Sequence, residues 1–333
     1  MPITIDGSIG EGGGQILRMA IAFSAILGKS VRVVNIRRNR PNPGLGVQHL
    51  KSIEALAGMV NARVEGLHPG SMEVVFTPGE IKQGEYRVNI GTAGSITLAL
   101  QSILPVAAFA PGPIAVDITG GTDVSWSPTF DYFKNVTLPA IERLGFHVEA
   151  SLISRGYYPA GGGRVKVYTK PAMLKGVEMT APLDGPICGV SSSSRLPPHV
   201  AERQAMAAKE YLMESGYEVN GIGLDIRSEA STGSSITLFK GMMGGSSLGE
   251  RGKPAEKVGR EAASSIAEEL SSGAAVDSHL ADQLIIYMAL ASGNSTISTS
   301  RITGHTSSSI MIVGQMIGKK FTIKKDGVYI IQS

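Results

Sequence analysis

The sequence has 333 residues, 42% of them hydrophobic and 18% charged, with a formal net charge of +3 at pH 7, which excludes a disordered chain and predicts a folded protein with more than one packed core. The single cysteine, Cys188, excludes an intramolecular disulfide, and the first residues, MPITIDGSIG, lack the basic and apolar regions of a signal peptide, so we expect a cytoplasmic location. No membrane span is expected, because prolines interrupt the longest apolar stretch, residues 103–116.

The first part of the chain alternates helical and strand patterns. Residues 15–27 carry apolar side chains at helical spacing, and the β-branched segment VRVVNI at 31–36 predicts a strand. A polar loop then leads to a second amphipathic helix that starts near residue 47. Two short strands, ARVEGL at 62–67 and MEVVFT at 72–77, complete this unit.

The same order of elements recurs twice, at 95–169 and at 280–332. Recurrence of this kind indicates internal repeats, and we predict an α/β fold (an α+β sandwich) in which three βαβαββ-like units form a large domain of residues 1–181 and 277–333. The intervening residues 182–276 break the pattern and have helices and strands of their own. We therefore predict that they form a smaller inserted α/β domain.

In each predicted unit, a polar loop joins the strand after the first helix to the second helix, and functional residues tend to collect in such loops. The loop residues that stand out are Arg37 and Arg40 in the first unit, Gly120, Gly121 and Asp123 in the second, and Arg301 and His305 in the third. The first loop lies in a basic region, since residues 1–64 hold eight Lys or Arg against three Asp or Glu. This charge suits an anionic partner, although a solvated basic turn remains an alternative.

His305 falls at the predicted start of a helix, where exposed N–H groups and the helix dipole favour an anion and the neutral imidazole. A neutral imidazole beside bound phosphate can act as a nucleophile towards phosphorus. The alternative is a loop histidine that only helps to start the helix.

The common nucleotide-binding motifs are absent. Gly28-Lys29-Ser30 lacks the first glycine of a Walker motif, and no G-x-G-x-x-G follows a strand. What remains is the glycine loop GEGGGQILR at 10–18, directly before a helix, with Glu11 and Arg18 on either side. A carboxylate and a guanidinium placed in this way can hold a metal ion and a phosphate, while a plain glycine turn is the alternative.

Taken together, these segments resemble the RNA 3′-terminal phosphate cyclase family nearly from end to end. The segments that carry the resemblance are EGGGQILR from Glu11 to Arg18, Arg37 and Arg40 followed by PGL and QHL, Gly94-Ser95 with Gln101, GGTD at 120–123, GYYPAGGG at 156–163, HVAER at 199–203, LADQL at 280–284 and His305. The resemblance implies three units similar to the C-terminal domain of a bacterial translation initiation factor, with a smaller domain inserted.

The resemblance also implies a reaction. His305 would attack the α-phosphate of ATP and carry AMP as a phosphoramidate. AMP would pass to the 3′-phosphate of an RNA end, and the neighbouring 2′-hydroxyl would close a 2′,3′-cyclic phosphate. RNA 3′-phosphate ends and ATP are thus the implied partners, with Mg²⁺ or Mn²⁺ as cofactor; the oligomeric state stays open.

The resemblance assigns roles to further residues. Glu11 would bind the metal, and Pro128 and His279 would flank adenine. The ATP-holding residues would be Gln101 and the segment His279, Leu280, Ala281, Asp282 and Gln283. The contacts to phosphates or to the RNA terminus would come from Arg18, Arg37, Arg40, Gln48 and His49. One departure is His279, where bacterial members often have tyrosine, so the ring covers less of the adenine.

Two alternatives of other classes stay open. Eukaryotic relatives of the family act in ribosome assembly without cyclase activity, so the chain is alternatively a non-catalytic RNA-binding assembly factor. Related α/β repeats also occur in enzymes that transfer enolpyruvyl groups. For Trp126, the only tryptophan, we expect a packing role, with base stacking as the alternative.

Overall fold

The computed structural model describes residues 1–10, 13–91 and 93–333. Within these ranges, sixteen strands form four sheets of four strands each, and helices accompany every sheet. The α/β class is therefore confirmed. No helix in the described ranges is both long and apolar enough to cross a membrane.

The first sheet has the order β1-β2-β4-β3, in which β1 and β2 are parallel and the other pairs are antiparallel. Its elements are β1 (Ile3–Asp6), α1 (Gly14–Leu27), β2 (Val31–Val34), α2 (Val47–Met59), β3 (Arg63–Glu65) and β4 (Val74–Thr77). Alternating burial along β2 and β4 turns their apolar residues towards the helices. The loop with Arg37 and Arg40 leaves the end of β2.

The second sheet has the order β5-β6-β8-β7, again with one parallel pair, β5 and β6, at one side. Its elements are β5 (Gly84–Asn89), α3 (Ile96–Ala107), β6 (Ile114–Gly120), α4 (Phe130–Tyr132), a π-helical turn (Phe133–Thr137), α5 (Leu138–Arg143), β7 (Val148–Ser154) and β8 (Gly163–Thr169). The predicted single helix after β6 is therefore divided by a π turn. Pro139, just beyond this turn, has no N–H to continue a regular α-helical ladder.

After the short strand β9 (Glu178–Met179), the chain forms a sheet with the order β11-β10-β12-β13. The elements of this part are β10 (Ile187–Ser194), α6 (His199–Glu214), β11 (Val219–Arg227), β12 (Gly233–Lys240), β13 (Met243–Leu248) and α7 (Ala255–Ser271). A separate cluster of buried apolar residues, drawn from positions 187–266, lies beneath α6 and α7. The predicted boundaries of 182 and 276 stay predictions.

The remaining elements complete a sheet with the order β15-β16-β14-β9, in which β9 and β14 are parallel. They are α8 (Ser278–Leu290), β14 (Thr296–Thr299), α9 (Gly304–Ile317), β15 (Thr322–Asp326) and β16 (Val328–Gln332). Helix α1 packs against α3 and α9, and α8 packs against α9. One large apolar core joins this sheet to the first and second sheets. This packing brings the starts of several helices together.

Candidate active site

His305 is the second residue of α9, close to the loop that precedes α1. Thr303 caps α9 through its hydroxyl, which accepts a hydrogen bond of 3.0 Å from the N–H of Thr306. A Cβ atom in place of the Gly13 hydrogen would lie 3.6 Å from His305 Cε1 and 3.4 Å from Arg40 Nη2. The imidazole of His305 and the guanidinium of Arg40 therefore lie against the same point of backbone, although they are far apart in sequence.

The next residue, Gly14, lies against His49 and Arg18. A Cβ atom at Gly14 would overlap His49 Nε2 and lie 3.1 Å from Arg18 Nη1, so only glycine lets both side chains approach the helix start. Arg18 donates to Gln101 Oε1 over a long distance of 3.4 Å, and its Nε is buried with no hydrogen-bond partner among the described residues. Burial lowers the pKa of Arg18 to about 10, although the charge of Asp282 opposes this shift.

The charges around His49 favour its neutral ring. Burial, followed by the positive charges of Arg18 and Arg37, lowers the pKa of His49 to about 3. The Nδ1 atom of His49 is buried and has no hydrogen-bond partner in the described ranges. Burial and the charge of Arg40 likewise lower the pKa of Arg37, which donates a 3.0 Å hydrogen bond to the carbonyl of Gly44. Cations that crowd one another in this way favour binding of an anion between them.

Gln48 and Pro128 are held by the start of α3. The side-chain oxygen of Gln48 accepts a 3.1 Å hydrogen bond from the N–H of Ser95, the N-cap of α3. The Thr97 hydroxyl donates to the carbonyl oxygen of Pro128 at 2.7 Å. The structure thereby ties the loop after β6 to the same region as α2.

A pocket opens between α1, α3, the π turn, α8 and α9. Its polar lining consists of Gln15, Arg18, Gln101, Thr137, Asp282, Gln283 and Ser309. Its apolar lining consists of Met19, Leu104, Phe133, Ile286 and Tyr287. Of the residues predicted to hold ATP, Gln101, Asp282 and Gln283 thus line one pocket together with Arg18.

The other predicted ATP residues at the start of α8 face elsewhere. Leu280 and Ala281 are fully buried in the core, whereas His279, the second residue of α8, is exposed. Gln283 accepts a hydrogen bond from Thr137 at 3.2 Å and donates one to the His279 carbonyl at 3.0 Å. The side chains that this segment turns towards the pocket are therefore those of Asp282 and Gln283.

Asp277, which the sequence analysis missed, holds the start of α8. One carboxylate oxygen accepts from the N–H groups of His279 and Leu280 at 2.9 and 2.8 Å, and the other accepts from the N–H of Gly244 at 2.9 Å. The Tyr132 hydroxyl also donates to this carboxylate, at 2.8 Å. Burial raises the pKa of Asp277 to about 6. An Asp before an apolar helical run was the available sequence signal for this cap.

A buried ion cluster was also missed. Arg155, whose side chain is 1% exposed, contacts the carboxylates of Asp123 at 3.2 Å, Asp131 at 2.8 Å and Asp225 at 2.7 Å. Asp225 lies on β11, whereas Asp131 lies on α4, and Asp123 and Arg155 lie in loops that follow β6 and β7. The cluster therefore links these two parts of the chain.

Two further predictions have different outcomes. Glu11, the predicted metal ligand, lies outside the described residues. Within residues 1–10, 13–91 and 93–333, no group of three or more His, Cys, Asp or Glu side chains is placed to hold a metal ion. The packing role expected for Trp126 is wrong, because this side chain is 98% exposed.

The fold and the site define an α/β protein in which a group of arginines lies beside a histidine at a helix start. A family model described as RNA 3′-terminal phosphate cyclase matches residues 9–323. The chain belongs to this family.

Proteins named RNA 3′-terminal phosphate cyclase are similar over almost their whole length. The chain is 50% identical to the one from Archaeoglobus fulgidus, with 99% of each chain covered, and 51% identical to the one from Methanosarcina barkeri, with 98% of each covered. The Pyrococcus furiosus protein is 48% identical, over 97% of this chain and 95% of its own. Among solved structures, the enolpyruvyl transferase NikO from Streptomyces tendae matches 50% of this chain and 33% of its own, with 18% identity and a TM-score of 0.30. This similarity is too weak to support an argument about fold or function.

Proposed function

We propose that the chain is an ATP-dependent RNA 3′-terminal phosphate cyclase that works through a covalent histidine–AMP intermediate on His305. Family membership supports the overall reaction. The observation that carries the proposal is the position of His305 and Arg40 against the backbone of Gly13, beside the crowded cations at Arg18 and Arg37. A nucleophile next to an anion site is what transfer to phosphorus requires.

The proposed sequence has three transfers. A ring nitrogen of His305 bonds to the α-phosphorus of ATP as pyrophosphate leaves. An oxygen of the RNA 3′-phosphate then bonds to the same phosphorus, which breaks the bond to His305 and regenerates the imidazole. The RNA 2′-hydroxyl, losing its proton, finally attacks the 3′-phosphorus, and AMP leaves.

The last step benefits from its geometry. Adenylylation turns an oxygen of the 3′-phosphate, which is a poor leaving group, into AMP. The attacking 2′-hydroxyl belongs to the same ribose, and well-oriented intramolecular reactions reach effective molarities of about 10⁵ M or more. The protein therefore needs chiefly to position the phosphates and to stabilise their charge.

The cations of the site supply that charge stabilisation. Arg18, Arg37 and Arg40 would bind phosphate oxygens of ATP or of the RNA terminus, with Gln48 and His49 beside them. His49 in its neutral form can donate or accept one hydrogen bond without adding another cation to this crowded site. Its buried Nδ1 has no hydrogen-bond partner in the described ranges.

The proposal includes Mg²⁺ or Mn²⁺, with Glu11 as the ligand from the chain. Magnesium is commonly bound by one or two carboxylates together with substrate phosphates, so a cluster of protein ligands is not required. The ion would neutralise charge on the phosphate oxygens. A cytoplasmic location is part of the same proposal, and the single cysteine supports it.

The deciding experiment is incubation of the whole chain with α-³²P-labelled ATP and Mg²⁺ or Mn²⁺, followed by a denaturing gel. Label that is lost in acid and survives base indicates a phosphoramidate, and its transfer to RNA that ends in a 3′-phosphate would support the full sequence. Absence of label with either metal, while RNA still binds, would favour the non-catalytic assembly factor.

A further inference from the structure

Trp126 is presented to solvent in an unfavourable backbone conformation. It is 98% exposed, and its φ of 65° lies in the left-handed region, which is rare for a bulky residue. The hydroxyl of Ser127 donates a 2.9 Å hydrogen bond to the carbonyl of Val124, which helps to close the turn that contains Trp126. An indole left in water forgoes its usual burial, so two unfavourable features coincide at one position.

The loop that carries Trp126 holds a special place in the fold. It follows β6, as the loop with Arg37 and Arg40 follows β2 and the segment with His305 follows β14. In the parallel direction, β2 pairs with β1, β6 with β5 and β14 with β9. On their other sides, the same three strands pair in antiparallel with β4, β8 and β16. Trp126 therefore occupies the position in the second sheet that phosphate-site residues occupy in the other two.

This loop is anchored next to the candidate active site. The N–H of Gly121 donates to the carbonyl of Gly94 at 2.8 Å, and the N–H of Ser95 donates to Gln48 at 3.1 Å. Five residues of chain span at most about 18 Å, so Trp126 lies within that distance of Gly121. The indole is thus within reach of an RNA strand whose 3′ end lies beside Gln48.

A second exposed aromatic residue lies in the adjoining loop. Tyr158 is 78% exposed, and its neighbour Tyr157 is bridged to Asp123. The carbonyl of Gly156 accepts a 2.8 Å hydrogen bond from the N–H of Thr122. Two solvent-facing rings therefore lie on hydrogen-bonded segments near one end of the second sheet.

We propose that Trp126 is a stacking platform for a nucleobase of the RNA substrate, a few nucleotides upstream of the 3′-terminal phosphate, with Tyr158 as a second ring along the same strand. This inference rests on the proposed function. Charge favours RNA over a protein partner, because the loop that follows β2 carries Arg37 and Arg40 next to the candidate active site. Aromatic rings combined with a basic surface are the general means of binding single strands, and stacking tolerates any base.

The first test uses the intrinsic fluorescence of the protein, since Trp126 is its only tryptophan. The full chain is titrated with a 5′-labelled oligoribonucleotide that ends in a 3′-phosphate, and anisotropy of the label reports binding independently. We expect quenching of the tryptophan signal that disappears when one particular upstream nucleotide is made abasic. Bound RNA with an unchanged tryptophan signal would overturn the proposal.

The second test compares variants. Trp126→Ala should weaken RNA binding about 5- to 150-fold, the usual effect of removing one stacking ring, and Trp126→Phe should recover most of the loss. Tyr168→Ala is the matched control: Tyr168 is 37% exposed and lies towards the opposite end of the same sheet, where it pairs with Ala115. Equal affinities of the wild type and Trp126→Ala would overturn the proposal, as would a signal that changes with protein concentration alone, which indicates contact between copies of the chain.

The two proposals fail separately in these tests, because neither binding readout requires catalysis. Position-specific quenching without any cyclised product would support stacking and contradict the cyclase proposal. Cyclised product without quenching would support the cyclase proposal and contradict stacking.

Discussion

The Tyr132 hydroxyl lies 2.8 Å from both carboxylate oxygens of Asp277, although 145 positions separate the two residues in the chain. Tyr132 belongs to the helical segment after β6, and Asp277 caps α8, which carries Asp282 and Gln283 into the pocket. Both residues are buried. One hydroxyl therefore connects the helices of the second sheet to the first turn of α8.

We expect Tyr132→Phe to lower the free energy of unfolding by about 1.5–3 kcal/mol, because a buried carboxylate loses a charge-assisted hydrogen bond. The affinity for ATP should fall as well, since α8 loses a support of its first turn. Urea denaturation and calorimetric titration with ATP measure the two effects. Tyr158→Phe, at an exposed ring, is the control and should leave stability unchanged; equal stability of both variants would contradict the role of this bond.

Arg155 should be essential for stability. Replacing it with Met leaves three buried or partly buried carboxylates without their shared cation, and breaking a buried ion pair in this way costs about 3–5 kcal/mol. The matched control is Arg164→Met, since Arg164 contacts Asp117 at 2.8 Å but its side chain is 45% exposed. Urea denaturation should show a large loss for the first variant and little change for the second. Similar losses in both would show that burial of the cluster is unimportant.

His49 should make the protein sensitive to acid. Its pKa is 6.5 in the unfolded chain and about 3 in the folded one, so between these values the unfolded state binds a proton that the folded state does not. The folded state therefore has its full stability above pH 6.5 and loses it as the pH falls towards 3. The loss is at most about 1.4 kcal/mol per pH unit, or roughly 2 kcal/mol at pH 5.

His49→Gln removes this titration. Urea denaturation of both proteins at pH 7.5 and pH 5 gives the change in stability for each, and the change should be smaller in the variant. Comparing changes rather than absolute stabilities separates the titration from any altered packing at Gly14. An equal loss in both proteins would assign the acid sensitivity to other groups.

Most helices and strands with clear periodicity could be predicted from the sequence, whereas two strands of the part between β9 and α8 could not. β10 has the sequence ICGVSSSS and β13 the sequence MGGSSL, and serine and glycine have little preference for strands. Their small side chains are needed by the packing: a Cβ atom at Gly245 would lie 2.6 Å from the carbonyl oxygen of Ala262 in α7. Such a requirement appears only once the helix is in place.

The candidate site divides in a similar way. Motifs and family resemblance named Arg18, Arg40, His49 and His305, which the structure brings to Gly13 and Gly14 at the start of α1. The supports behind them were missed, because contacts such as Tyr132 with Asp277 join distant segments and leave no local pattern. Side chains that act on a ligand recur in motifs, whereas those that position them depend on the whole fold.

Arg40 and Arg38 offer a matched pair of cations on one loop. Arg40 lies by Gly13 and His305, whereas Arg38 is exposed. Arg40→Ala should reduce cyclisation at limiting RNA about 10- to 150-fold, the effect of losing one charged hydrogen bond, with little change in melting temperature. Arg38→Ala should stay close to the wild type. Equal rates for the two variants would assign Arg40 to the solvated face of the loop.

His305→Asn should abolish the covalent label from α-³²P-labelled ATP while fold and ATP binding persist. The fold should tolerate the change, because the hydroxyl of Thr303 caps α9 by accepting from the N–H of Thr306. Circular dichroism checks the fold, and calorimetric titration checks the binding of ATP.

Ser307→Ala is the control on the same helix turn. Ser307 offers an exposed hydroxyl as a rival nucleophile, and its bond to the Thr303 carbonyl at 3.2 Å is not part of the cap. We expect this variant to keep the acid-labile label. A His305→Asn protein that still became labelled would remove His305 from the nucleophile role. If the label of the wild type were stable to acid and only Ser307→Ala lost it, the Ser307 hydroxyl would take that role.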